Sequence, residues 1–113
     1  MQPKILAYLD DILDASKAIK EHTKGITMYN QFIENRMVYR AVERELTIIA
    51  EAINKIKKEN QLIEIVHAKQ IVGLRNRMIH DYANTNYDII WGVVVNHIDK
   101  LIVEIEKTIS SFE

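Results

Sequence analysis

Between Gly73 and Tyr82 the chain gathers more chemically capable side chains than anywhere else in its length. Arg75 and Arg77 bring guanidinium groups, Asn76 an amide, His80 an imidazole, Asp81 a carboxylate and Tyr82 a phenol. A guanidinium forks its donors onto a carboxylate or a phosphate. Arg75 has apolar neighbours at helical spacing, Ile71 before it and Met78 and Ile79 after it. An arginine in that company is either pinned by a carboxylate or kept for a phosphate. Each helical residue turns about 100°, so Arg75 and Tyr82 are nearly aligned while Arg75 and His80 stand about 140° apart. One straight helix therefore does not bring Arg75 and His80 together. The helix must end or distort near Ile79, or a second copy of the chain must complete the site.

Other chemistries find less support. The chain has no Cys, which removes thiolate catalysis and disulfides. No G-x-S-x-G and no glycine-rich phosphate loop occurs. The histidines are His22, His67, His80 and His97, and no two are four apart. A Glu-x-x-His spacing occurs once, at Glu64 and His67, where a di-metal bundle needs two copies. No metal or other cofactor is expected. His67 reads as a surface histidine and His97 as one at the edge of the core.

The frame is helical. A length of 113 residues suits one domain, 1–113, with a core of its own. One Pro and three Gly favour long uninterrupted helices over a many-turned β fold. Pro3 to about Lys20 forms a first helix, with a break at His22 to Gly25. Val38, Val42, Leu46, Ile49, Ile53 and Ile56 predict a second long helix from about Glu34 to Lys58. Met28 to Ile33 is either a separate short helix or its first turns. A third helix starts between Leu62 and Ala68 and runs into the chemically rich stretch. Ala83 to Asn86 is a polar loop with Asn86 as N-cap, and a last helix covers Tyr87 to Ser110. The pattern is that of an all-α, antiparallel bundle of four to five helices. Arg36, Arg40 and Arg44 form a basic stripe, either paired with acids such as Glu43 and Glu45 or free to meet phosphate. Gly73, Gly92 and Trp91 mark places where another helix could approach, and a homodimer is expected.

A net charge of −1 gives no long-range attraction to nucleic acid, so any such contact needs a local patch or a partner. Asp10, Asp11 and Asp14 interrupt the apolar run that a signal peptide needs, so none is expected there. The apolar run Ile89 to Val95 is too short to span a bilayer. A cytoplasmic protein without membrane contact is expected.

The run Leu74-Arg75-Asn76, three residues, then His80-Asp81-Tyr82 resembles the R-x4-H-x-Y motif of the HepT toxins, in the HEPN superfamily. Leu46 to Ala52 resembles that family's second-helix pattern, and Asn86 to Trp91 its approach to the last helix. Ala50 stands where the family often has Gly. The Pro and Trp usual before the third helix are replaced by Ile65 to Lys69. The resemblance implies a dimer with two motifs facing one cleft. It implies a toxic, metal-independent endoribonuclease, with Arg75 and His80 catalytic and Asn76, Arg77 and Asp81 supporting. It also implies an MntA-like nucleotidyltransferase antitoxin that attaches AMP to Tyr82. The residues suit that reaction. Attack by a 2′-OH needs a proton carrier near neutrality, which His80 supplies, and a cation on the phosphate, which Arg75 supplies. AMP on Tyr82 would fill the cleft with negative charge. The rival reading is a non-catalytic substrate-binding subunit of a minimal nucleotidyltransferase, which has no need of Arg75 and His80.

Overall fold

The computed structural model describes residues 2–80 and 86–112, with the side chains of residues 78–80 outside that description. Every regular element among the described residues is helical. In order they are α1 (Pro3–His22), α2 (Tyr29–Ile33), α3 (Arg36–Glu59), α4 (Lys69–His80), α5 (Tyr87–Asn96) and α6 (Ile98–Ser110). A 3₁₀ turn at Val66–Ala68 leads into α4.

Local chemistry sets the helix limits. Pro3 opens α1, where its missing N–H costs nothing. Gly25, at φ +82°, turns the chain after α1 in a conformation other residues resist. The Gln31 side chain accepts hydrogen bonds from the Thr27 and Met28 backbone N–H groups and so secures the single turn of α2. Asn35 caps α3 by accepting from the Val38 N–H, and Asn86 caps α5 by accepting from the Asp88 N–H, as the sequence predicts for Asn86.

Ile5, Leu9, Ile12 and Ile19 of α1 are buried against Val42, Leu46, Ile49, Ile53 and Ile56 of α3. Burial of each such side chain stabilises by roughly 1.5–3 kcal/mol before the cost of ordering the chain. Ser16 lies within this interface, and its hydroxyl donates to the Ile12 carbonyl at 2.7 Å. Surface ion pairs report the helix directions. Lys4 meets Glu59, and His22 meets Glu45, so α1 and α3 are antiparallel. Lys20 meets Asp99, while Gln2 and Ile5 share a pocket with Phe112, so α1 and α6 are antiparallel too.

The sequence reads Tyr87 to Ser110 as one helix, and the structure divides it at His97. The His97 N–H still bonds to Val93 O and its carbonyl accepts from Leu101, so the division is a kink. The two halves serve different neighbours. Segment α5 packs on α2 and α4, whereas α6 packs on α1 and the 3₁₀ turn. Asn96, a weak helix former, stands at the bend.

Glu104 of α6 binds that turn with both oxygens. Its Oε2 accepts from the Val66 N–H at 2.7 Å and its Oε1 from the His67 N–H at 3.0 Å. Charge-assisted bonds of this kind hold the start of α4 against α6. Glu104→Ala is expected to lower unfolding free energy by about 1–2 kcal/mol, and Glu104→Gln by less, in urea titrations. An unchanged midpoint for Glu104→Ala would show that the clamp contributes nothing.

No helix among the described residues is long and apolar enough to cross a membrane.

Candidate functional site

Helix α4 lies along α3 with Ile71 and Leu74 buried between them. Arg75 follows Leu74 and emerges at the edge of this seam. Its guanidinium meets a carboxylate, one of the two partners that its apolar company allows. Nη2 stands 3.6 Å from Oε1 of Glu51 on α3. The Arg75 side chain is 24% exposed and that of Glu51 49%. At 3.6 Å the pair lies beyond good hydrogen-bond reach and is worth at most about 1 kcal/mol. It orients the guanidinium without satisfying it. The Arg75 Nε is buried and has no acceptor among the described residues, so it is closed to an incoming anion as well. A second anion would meet the exposed part of the side chain.

Helix α4 keeps helical geometry through His80. It ends there, one residue past Ile79, where the sequence allows a helix end. Asn76 and Arg77 are exposed, turned away from the α3 seam. The structure thus gathers Arg75 with Glu51 and leaves Asn76 and Arg77 apart. The His80 side chain, Asp81 and Tyr82 lie outside the described residues, as do residues 83–85 of the predicted loop.

Because α4 runs against α3, its C-terminal end points toward the N-terminal half of α3. A polar and aromatic cluster stands there. Glu43 is buried, with Oε2 3.5 Å from Nη1 of Arg40 and Oε1 without a hydrogen-bond partner among the described residues. Burial, and after it the Glu43 carboxylate, push the Tyr87 phenol well above the ordinary tyrosine range. The Tyr87 ring packs on Tyr39 at 4.5 Å, and the Arg40 guanidinium lies 5.8 Å over the Tyr39 ring. Trp91 packs on the fully buried Phe32 at 5.1 Å, which ties α5 to α2. Of the basic stripe, Arg40 is paired with Glu43, while Arg36 and Arg44 are exposed.

Glu51 and Glu43 were not singled out by the site motif. The signal was present as spacing, since Glu43, Thr47 and Glu51 are four apart along one side of α3. The Thr47 hydroxyl donates to the Glu43 carbonyl at 3.0 Å. Among the described residues nothing lies within 4 Å of where a Cβ would stand on Gly73 or Gly92. Among the described residues no three His, Asp or Glu side chains come together as metal ligands. That description does not reach the His80 side chain or Asp81.

These features define an all-helical bundle with an ion-paired arginine on the helix that leads to His80. The family model described as Ribonuclease HepT-like matches residues 12–108. The chain belongs to this HepT-like ribonuclease family, as the motif's resemblance implied. It is 39% identical over 103 residues to "Putative RNase MJ1380" of Methanocaldococcus jannaschii, covering 90% of this chain and 94% of that one. It is 34% identical over 101 residues to "Putative RNase TTE0752" of Caldanaerobacter subterraneus, covering 88% and 89%. It is 30% identical over 101 residues to "Probable ribonuclease HepT" of Thermococcus cleftensis, covering 88% and 91%. No solved structure matches the chain.

Proposed function

We propose that this chain is a metal-independent endoribonuclease that uses Arg75 and His80, acts as the toxin of a toxin–antitoxin pair, and works as a homodimer. The observation that carries the reading is the Arg75 guanidinium. It is oriented by Glu51 through one Nη at 3.6 Å, beyond good hydrogen-bond reach, and its side chain stays 24% exposed. A structural salt bridge would close on its carboxylate; a phosphate site leaves the exposed part of the fork for the substrate. Family membership supplies the reaction class.

In the proposed reaction the RNA 2′-oxygen attacks the neighbouring phosphorus and the bond from phosphorus to the 5′-oxygen breaks. His80 moves the proton that this exchange requires, and Arg75 holds the phosphate as its charge grows. The products are a 2′,3′-cyclic phosphate and a 5′-hydroxyl, and DNA is not cut because it lacks the 2′-OH. Asn76, Arg77 and Asp81 orient substrate or neighbouring groups. An MntA-like nucleotidyltransferase switches the site off by attaching AMP to Tyr82, whose added phosphates repel RNA.

The test is cleavage of single-stranded RNA by the purified protein with a chelator present. Cleavage to cyclic-phosphate ends, with an all-deoxy analogue untouched, is the expected result. Loss of activity in chelator, restored by a divalent ion, would overturn the metal-free mechanism. Protein made together with the nucleotidyltransferase should lose cleavage and gain mass in AMP multiples at Tyr82. Full neutralisation at unmodified mass would put inhibition down to binding alone.

A further inference from the structure

A groove opens between the C-terminal half of α3, the connection after it and the first turns of α4. Its volume is about 690 Å³, within the range of pockets that hold small organic ligands. Ile53, Ile65, Ala68 and Val72 form an apolar floor, while Lys57, Lys58 and Lys69 stand around it. Glu64 is the one acid among its lining residues. Lys69 Nζ lies 2.9 Å from Glu64 Oε1, and Lys69 and then Lys57 hold that carboxyl below the ordinary range. Lys57 and Lys58 have no carboxylate within ion-pair distance among the described residues. Three lysines against one glutamate leave a local charge of +2 on a chain whose net charge is −1.

The groove shares its seam with Arg75. Val72 lines it and precedes Arg75 by three residues, about 4.5 Å along the helix axis. Lys69 is about 9 Å from Arg75 along the same axis. On α3, Lys57 and Lys58 follow Glu51 by less than two turns. A phosphodiester strand alternates an anionic phosphate with a flat, largely apolar base. A cationic rim over an apolar floor repeats that alternation, next to a partly exposed arginine. An acidic peptide would match the rim, but nothing in its chemistry would place it beside Arg75.

We propose that this groove is a substrate subsite: it takes the base of a nucleotide beyond the two that flank the scissile bond onto its apolar floor, and the phosphates on either side of that nucleotide onto Lys57 and Lys58. The proposal rests on the nuclease reading above. It extends the site from one phosphate to a stretch of single strand and makes longer RNA a better substrate than a dinucleotide.

The experiment compares wild type with Lys57→Glu/Lys58→Glu, with Val72→Phe, which narrows the groove without changing charge, and with the control Lys100→Glu/Lys107→Glu on α6. Binding is read by fluorescence anisotropy with a fully 2′-O-methylated oligonucleotide, which cannot be cleaved. Cleavage is read on an unmodified oligoribonucleotide and on a dinucleotide. The charge-reversed variant should bind about tenfold or more weakly, and its salt dependence should flatten by roughly two phosphate contacts. It should show a raised KM on the oligonucleotide and unchanged dinucleotide cleavage. Val72→Phe should weaken oligonucleotide binding at wild-type salt slope, and the control should stay near wild type. Unchanged affinity and KM in both groove variants would overturn the subsite while leaving the nuclease standing. So would wild-type RNA binding combined with loss of an acidic protein partner. If wild type cleaves no RNA, the nuclease reading fails, and the binding arm still decides whether the groove holds RNA.

Discussion

His80→Ala and Arg75→Ala are each expected to reduce RNA cleavage by roughly two to four orders of magnitude while the protein stays folded. For His80 the loss follows from proton transfer, since no other imidazole falls within the motif. For Arg75 it follows from lost charge stabilisation on the phosphate. Arg75 is only partly buried and its pair with Glu51 is long, so removing it costs little stability. Arg75→Lys keeps the charge but loses the fork, and should recover only part of the rate. Glu51→Gln removes the charge that orients the guanidinium, and a loss of about tenfold is expected. Since Glu51 acts through Arg75, its substitution should add little to Arg75→Ala. Undiminished cleavage by His80→Ala at an unchanged melting temperature would remove the catalytic assignment.

Mixing the two inactive proteins is expected to restore activity. Five residues of helical period separate Arg75 from His80 by about 140°, so a straight helix in one chain does not bring the two together. A site built across a two-fold axis takes Arg75 from one subunit and His80 from the other. A mixed dimer of Arg75→Ala with His80→Ala then holds one intact site and one doubly defective site. Half of randomly paired dimers are mixed, so about a quarter of wild-type activity should return. Each protein alone stays inactive. If subunits are shown to exchange and no activity returns, each site is complete within one chain and the shared cleft is wrong.

Much of this molecule is legible in residue order. The stripe Val42, Leu46, Ile49, Ile53 and Ile56 has one solution, a long helix buried on one face, and α3 adopts it. Asn86 announces the cap of α5 because its side chain can reach a free N–H two residues on. The bend at His97 was not legible, because Ile90, Val94, Leu101 and Ile105 keep helical spacing across it. What divides the helix is that α5 and α6 pack on different neighbours, and a periodicity argument carries no information about neighbours.

The same distinction applies to Arg75. Its apolar flanks required an anionic partner, and that requirement is a property of the local sequence. The identity of the partner, Glu51, depends on how far α3 and α4 slide along each other, which is set by the packing of Ile71 and Leu74 against α3. The lysine-rimmed groove is likewise tertiary. Lys57 and Lys69 are ordinary surface lysines in sequence, and only the antiparallel seam brings them to one opening. Sequence alone determined which side chains are capable of chemistry and that helices present them, because residue type and helical period are local. Tertiary structure decided which of them meet, because register, bends and grooves come from the fit of one helix surface against another.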